Sequence, residues 1–369
     1  MTEWRKVKLG DVSCYVNDKI DIASFDNSLY ISTDSMLSDK GGITAPESIP
    51  TTGKVTKYQF EDILVSNIRP YFKKIWKSNR DGGCSNDVLV FRRNPTMILP
   101  TFLYYVLSCD SFFEHMMAGA NGTKMPRGNK KLILNYTFGL PDLETQRRIA
   151  EVLSRYDALI ENYQRQIKLL EEAAQRLYKE WFVDLRFPGH QSTPIINNLP
   201  QGWEKKKITD ILDIKYGKDH KKLKDGPIPV YGTGGIMRYA NSSLYCGESV
   251  LIPRKGSLNN IMLVNGSFWT IDTMFYSVPK TENAAKIAYF YLKDLDMYSF
   301  NIGAAVPSMT VNILSGMEIS LPTDEIRHEF ECRVDKYYQQ IALLENQIRN
   351  LSEARDRLLP KLMSAEIDV

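Results

Sequence analysis

Long hydrophobic runs are missing from this sequence of 369 residues. No stretch approaches the roughly 18 apolar residues that a membrane helix needs, so a membrane is not among the expected partners. The opening Met1-Thr2-Glu3-Trp4-Arg5 lacks the charged-then-apolar pattern of a signal peptide, and the expected location is cytoplasmic. Cysteine is scarce. Cys14, Cys84, Cys109, Cys246 and Cys332 lie too far apart for metal-ligand spacing, and an odd number argues against a secreted disulfide framework; they read as reduced and structural. The four histidines, His115, His190, His220 and His328, are isolated, without ligand or triad spacing, so no metal site is expected. A charge excess is missing too: the net charge is +3, which alone does not suggest nucleic acid. With 43% hydrophobic and 25% charged residues, the chain falls outside the disordered and collagen-like classes.

Catalytic signatures are also absent. Tyr231-Gly232-Thr233-Gly234-Gly235 is glycine-rich but lacks the Gly-Lys-Ser/Thr end of a P-loop and the third glycine of a dinucleotide turn, so it reads as a turn or binding loop. No Asn/Asp-Pro-Pro-aromatic tetrapeptide of an amino-methyltransferase occurs. Pro141-Asp142 is not followed by the acid-x-lysine of a nuclease core. The chain reads as non-catalytic, with no cofactor of its own.

What is present is a repeat. Leu140-Pro141 is matched by Leu321-Pro322 at an offset of 181, which also pairs Pro126 with Pro307, Tyr156 with Tyr337, Ile160 with Ile341, Gln166-Ile167 with Gln347-Ile348 and Arg176-Leu177 with Arg357-Leu358. Upstream, Trp4 and Asp11 match Trp203 and Asp210 at 199, so the first copy is 18 residues longer in its variable part. Two segments carry a helical seam stepping by fours and threes. The first runs Ile149, Leu153, Tyr156, Ile160, Tyr163, Ile167, Leu170, Ala174, Leu177, Trp181. The second runs Phe330, Val334, Tyr337, Ile341, Leu344, Ile348, Leu351, Leu358, Leu362, interrupted at Arg355, which matches Ala174. One shared register favours pairing of the two helices with each other. From 144 to 180 seven acids balance seven bases, so the rod suits a spacer or a protein-binding surface better than a nucleic-acid surface.

The segments ahead of each helix read as α+β. Strands are expected over 63–68, 88–91, 250–252, 261–264 and 268–278, helices over 101–117 and 284–295, and loops over 226–235 and 303–307. In these globules the basic residues cluster. Arg69, Lys73, Lys74, Lys77 and Arg80 fall among Tyr71, Phe72 and Trp76 with no acid. Lys124, Arg127, Lys130 and Lys131 form a second run, Lys215, Lys218, Lys221, Lys222 and Lys224 a third, and Arg254-Lys255-Gly256-Ser257 a fourth. Cations neutralise phosphates, and interleaved planar or polar groups meet sugars and bases. Candidate base readers are Asn121, Thr123 and Arg127 in the first globule and Thr233, Arg254, Asn259, Asn260 and Ser308 in the second, with Tyr231 alongside.

This pattern resembles the specificity subunit of type I restriction-modification systems. Leu140-Pro141-Asp142-Leu143-Glu144-Thr145-Gln146-Arg147-Arg148-Ile149 is similar to that family's Leu-Pro-Pro-Leu-x-Glu-Gln-x-x-Ile approach to a spacer helix, and Arg176-Leu177-Tyr178-Lys179-Glu180-Trp181-Phe182-Val183-Asp184 to its exit. Leu358-Leu359-Pro360-Lys361-Leu362-Met363-Ser364 resembles the family's C-terminus. The stretches 229–236, 254–257 and 303–308 resemble its recognition loops. Asp142 and Thr145 replace the usual second proline and glutamate, and Arg327 stands where the second copy's glutamine would be, so that copy's motif is degraded.

The resemblance implies an α+β fold with two α/β target recognition globules, joined by two long helices in an antiparallel coiled coil with an internal pseudo-two-fold repeat. The expected boundaries are 1–143 and 191–323 for the globules and 144–190 and 324–369 for the helical spacers. About 37 helical residues make a rod of roughly 55 Å, enough to hold two recognition domains about one to one and a half DNA turns apart. It further implies an asymmetric, bipartite site on double-stranded DNA and two modification (methyltransferase) subunits carrying S-adenosylmethionine. Restriction subunits would use ATP and magnesium. The alternative is a stand-alone DNA-binding regulator with an internal pseudo-dimer. A single-chain nuclease or methyltransferase lacks its motifs, and a pure coiled-coil adaptor leaves the basic runs unexplained.

Overall fold

The computed structural model describes residues 4–46, 48–122, 124–303 and 306–369. The chain divides into two compact units, residues 1–164 with 346–369 and residues 165–345. Each has its own core and its own pair of helical segments.

The repeat is visible strand by strand. In the first unit Arg5–Lys8 pairs antiparallel with Thr137–Leu140, Arg5 opposite Leu140; in the second, Glu204–Lys207 pairs with Glu318–Leu321, Glu204 opposite Leu321. A single helical turn follows each first strand, Leu9–Val12 and Ile208–Ile211. The N–H ahead of each turn donates to an aspartate, Lys8 to Asp11 at 2.9 Å and Lys207 to Asp210 at 3.1 Å. The offsets of 199 and 181 are thus those of paired strands.

Each unit then builds an antiparallel four-stranded sheet. Its order is Ser13–Tyr15, Val88–Arg93, Ile63–Ser66, Ile75–Lys77 in the first unit and Leu212–Tyr216, Met274–Pro279, Ser249–Pro253, Met262–Val264 in the second. A second sheet in each unit contains one parallel pair, Tyr30–Ile31 with Gly82–Cys84 and Ile228–Gly232 with Ser267–Thr270.

Three expected elements differ. The helix over 101–117 is two helices, Pro100–Ser108 and Asp110–Ala118, because Cys109 is extended (ψ 142°) and Asp110 opens a new first turn, where an acid suits the helix N-terminus. The strand over 268–278 is two strands in different sheets, Ser267–Thr270 and Met274–Pro279, separated by a turn. The glycine- and proline-containing loop over 226–235 is mostly strand: Ile228–Gly232 turns at Thr233-Gly234 into Gly235–Ala240. Of the five free cysteines only Cys84 is buried, which pushes its thiol up to about 12; Cys14, Cys246 and Cys332 are exposed and support no core.

The long helices are Leu143–Tyr178, continued by a wider turn over Lys179–Val183, and Asp324–Met363. Their starts lie 181 residues apart. In the first unit Ile149 and Leu153 share a core with Leu359 and Leu362, and Asp157 accepts from Arg355 at 2.7 Å, so the two segments run antiparallel. The interruption at Arg355 is therefore an ion pair on the helix-pairing face. Ile160 is buried; Tyr156, Ile348, Leu351 and Leu358 are half-buried, and the fully covered neighbour of Leu358 is Leu359. In the second unit Trp181 and Phe182 pack on Phe330 with ring centroids 5.8 and 4.7 Å apart, and Val334, Ile341 and Leu344 are buried. Tyr337, Ile167, Leu170 and Leu177 are half-buried there, while Tyr178 beside Leu177 is buried. Phe330 has no exposed surface, and such burial contributes about 1.5–3 kcal/mol.

The segment leading into each helix is held by one buried side chain. Gln146 accepts from the Leu99 N–H at 2.9 Å and donates to the carbonyls of Met97 (3.0 Å) and Pro141 (2.9 Å). Arg327, its counterpart, donates to the carbonyls of Pro322 (2.6 Å) and Glu282 (3.2 Å) and pairs with Asp324. The departure from the family pattern keeps the contact to the proline carbonyl. Among the described residues no helix is long and apolar enough to cross a membrane.

Candidate nucleic-acid interface

Both units build the same backbone frame at the end of an inner strand. After Ile63–Ser66 and after Ser249–Pro253 comes a residue in the left-handed region, Arg69 (φ 49°) and Gly256 (φ 84°). Each donates its N–H to a proline carbonyl, Pro126 at 2.8 Å and Pro307 at 2.9 Å, and these prolines are a repeat pair. The residue after each proline bridges back to the residue before the left-handed one, Arg127 with Ile68 and Ser308 with Lys255. The loop ahead of the proline closes on itself: Asn121 and Arg127 exchange backbone bonds at 2.9 Å, and Ile302 donates to Ser308 at 3.3 Å. One scaffold therefore presents Asn67, Arg69 and Arg127 in the first unit and Arg254, Gly256 and Ser308 in the second.

In the first unit Arg127 is exposed and pairs with Asp87 at 3.2 Å. An exposed pair of this kind contributes about 0–1 kcal/mol, little enough for a phosphate or a base to displace. Asn121 and Lys124 are exposed on the same loop, Lys130 and Lys131 are exposed on the turn Lys130–Ile133, and Thr123 lies outside the described residues. Asn67 is 7% exposed; its Oδ1 and the Nε of Arg69 are buried without a partner among the described residues.

The basic run from 67 to 80 is arranged differently from a strip of solvated cations. Lys73 donates to Asp110 at 2.9 Å, a bond that raises the lysine pKa and lowers that of the aspartate. Lys74 donates to the Thr33 carbonyl at 2.7 Å and Lys77 to the Thr101 hydroxyl at 2.8 Å, and burial lowers both their pKa values. Arg80 lies over Trp76 at 5.6 Å and reaches the Ser28 carbonyl at 3.5 Å. These four side chains are half-buried or tied to the fold because their run straddles a strand, Ile75–Lys77, rather than a loop alone.

In the second unit Lys218, Lys221, Lys222 and Lys255 are exposed. Tyr231 is half-buried edge-on to Phe268, with centroids 6.3 Å apart. Asn260 donates to the Thr233 carbonyl at 2.7 Å, which ties the turn after Ile228–Gly232 to the loop carrying Arg254 and Lys255. Asn259 is consumed by the fold: it accepts from the Met297 N–H at 2.8 Å and donates to Asp296 at 3.2 Å. Arg254 lies over the Tyr216 ring at 5.3 Å and donates to the Asp272 carbonyl at 3.1 Å. Tyr216 was not singled out from sequence; its only local signal is an aromatic residue directly before Gly217 at a strand end.

Among the described residues, neither frame pairs a nucleophile with a base. Among the described residues no group of three His, Cys, Asp or Glu side chains is placed to hold a metal ion. The chemistry on offer is cationic, amide and hydroxyl groups on hydrogen-bonded loops, groups of the kind that contact phosphates and base edges.

Comparison with known proteins gives one consistent picture. The family model for the type I restriction modification DNA specificity domain matches residues 1–172 and 200–353. The MjaIX type I restriction enzyme specificity subunit of Methanocaldococcus jannaschii is 24% identical over 313 residues, covering 74% of this chain and 70% of that protein. The HindI specificity subunit of Haemophilus influenzae is 22% identical across the full length of both chains. The crystal structure of the type I restriction-modification S subunit from M. genitalium superposes with a TM-score of 0.53 at 18% identity, covering 98% of this chain and 96% of that one, which shows a shared fold.

Proposed function

The chain belongs to the type I restriction modification DNA specificity domain family, and from that premise we propose that it supplies the address of a restriction-modification complex. Each unit reads one half of an asymmetric, bipartite site on double-stranded DNA. The observation that carries this reading is the repeated loop frame, identical in backbone register but different in its side chains: Asn67, Arg69 and Arg127 against Arg254, Gly256 and Ser308. A shared scaffold with different readers suits two different half-sites. The long helices set the unread gap between the halves and offer their outer faces to two modification subunits, which carry S-adenosylmethionine and methylate adenine. Restriction subunits joining that complex bring ATP- and magnesium-dependent cleavage. The charge balance of the first long helix supports a protein-facing role.

The deciding experiment is co-expression with a cognate modification subunit, followed by single-molecule sequencing of host DNA for methylated adenine. A split motif of two short specific halves around a fixed gap is expected. A purified complex that methylates nothing overturns the assignment and favours a stand-alone DNA-binding regulator. Inserting one heptad into each long helix adds about 10 Å, so the gap should widen by roughly three base pairs with both halves unchanged. An unchanged gap removes the spacer role from the helices.

A further inference from the structure

Three segments far apart in sequence are pinned together beside Arg254. The N–H groups of Arg254 and Lys255 donate to the Thr273 carbonyl at 2.8 and 3.3 Å. Gly217 donates to Met274 and Lys218 to Thr270, both at 2.9 Å. Gly217 approaches this turn so closely that a Cβ there would lie 2.0 Å from the Ile271 carbonyl oxygen. Only glycine lets the backbone carrying Tyr216 come so near the turn carrying Asp272.

The result is a slot for a planar cation. The Tyr216 ring rests on Phe275 at 5.0 Å and is otherwise 54% exposed, and its hydroxyl has no partner among the described residues. Over it lies the Arg254 guanidinium, 5.3 Å from the ring centroid, with Nη1 anchored on the Asp272 carbonyl at 3.1 Å. The ring face holds the guanidinium from one side, and the hydrogen bond to the Asp272 carbonyl restricts its rotation. With Nη1 so used, the opposite edge, formed by Nε and Nη2, has no hydrogen-bond partner among the described residues. Two parallel N–H groups on that edge match the O6 and N7 acceptors of guanine in the major groove.

We propose that Tyr216 is a positioning residue for specificity: its ring fixes Arg254 so that Nε and Nη2 together meet one guanine of the half-site read by residues 165–345. The inference rests on the DNA-reading function proposed above. It is particular to the second unit, because the position two residues before the left-handed one is Arg254 there and the buried Asn67 in the first.

The test uses the complex of the full chain with modification subunits, bound to the site its own methylation defines. Each guanine is replaced in turn by 7-deazaguanine, which lacks the N7 acceptor. One position in a single half-site should weaken wild-type binding roughly tenfold. Tyr216→Phe should keep that penalty. Tyr216→Leu and Arg254→Met should bind normal and substituted duplexes within about twofold of each other while keeping every base preference in the other half-site, which serves as the internal control for folding. Should Tyr216→Leu not fold, Tyr216→Thr removes the ring with a residue suited to a strand end. A ring-less variant with the full penalty, or a Tyr216→Phe variant without it, overturns the positioning role. A wild-type complex indifferent to every 7-deazaguanine overturns the guanine assignment. A wild-type complex that methylates no split motif overturns the underlying function, and does so before any variant is made.

Discussion

The first unit places its arginines at the left-handed position and after the proline, Arg69 and Arg127; the second places glycine and serine at those positions, Gly256 and Ser308, and puts its arginine two residues earlier at Arg254. The hydrogen-bonded frame beneath them is the same, down to the proline carbonyl that receives the left-handed N–H. The second sheets differ in the same spirit. An edge strand, Lys19–Asp21, is added beside Lys54–Tyr58 in the first unit, whereas Gly235–Ala240 is added beside Ile228–Gly232 in the second, on the other side of the shared three strands. Under the proposed function, keeping the frame while moving these side chains would change which bases are addressed without rebuilding the fold.

The largest expected effect breaks the comparison at the helices. In the second unit the Lys286 ammonium, 8% exposed, meets Glu248 at 2.8 Å, Asp335 at 2.9 Å and also Glu331. Burial would lower its pKa, but the carboxylates outweigh burial and hold it above the usual lysine range. Lys286→Met leaves three carboxylates without their shared cation and should cost about 3–5 kcal/mol. In the first unit Arg355 bonds Asp157, itself 30% exposed and also bonded by Tyr105 at 2.6 Å, so Arg355→Met should cost clearly less. Hydrogen exchange resolves the two units. Equal loss of protection in both after either change would refute their separate cores.

Next come the proposed base readers. Arg127→Ala and Arg254→Ala should each weaken one half-site by about 1–3 kcal/mol and leave discrimination at the other intact. Binding to duplexes altered one half at a time checks this, and equal loss at both halves contradicts separate recognition. Smaller again is the salt dependence. Lys124→Ala and Lys221→Ala remove exposed cations and should each lower the slope of log affinity against log salt by about 1 if they meet phosphate, while Lys77→Met, whose amine is spent on Thr101, should leave the slope unchanged.

These contrasts show where the sequence was legible. The repeat, the two offsets and the helical seams follow from periodicity, which any residue pair at fixed spacing reports, and Arg5–Lys8 with Thr137–Leu140 reproduces them in register. The split at Cys109 and the strand hidden in 228–232 were not legible, because a polar junction inside an apolar stretch and a Gly- and Pro-bearing strand carry weak local signals. The site was legible only in part. A basic run reports charge and says nothing about whether Thr101, Thr33 or Asp110 will claim it. Arg254 stood out as an arginine, but the ring and carbonyl that orient it come from Tyr216 and Asp272, which only the folded sheet brings together.

The smallest expected effect sharpens the comparison at the helix approaches. Gln146 has no exposed surface and makes three hydrogen bonds, of which the one to the Pro141 carbonyl is fully buried, so Gln146→Ala should cost about 1–3 kcal/mol. Arg327 reaches the corresponding proline carbonyl but spends its remaining donors on the Glu282 carbonyl and on Asp324, which is largely solvent-exposed. Arg327→Gln therefore keeps the shared contact and gives up the bond to the Glu282 carbonyl and an exposed ion pair, together about 1 kcal/mol, so the melting temperature should move by only a few degrees. A loss as large as that of Gln146→Ala would mean that the arginine has become the structural key of the second helix approach rather than a substitute for the amide.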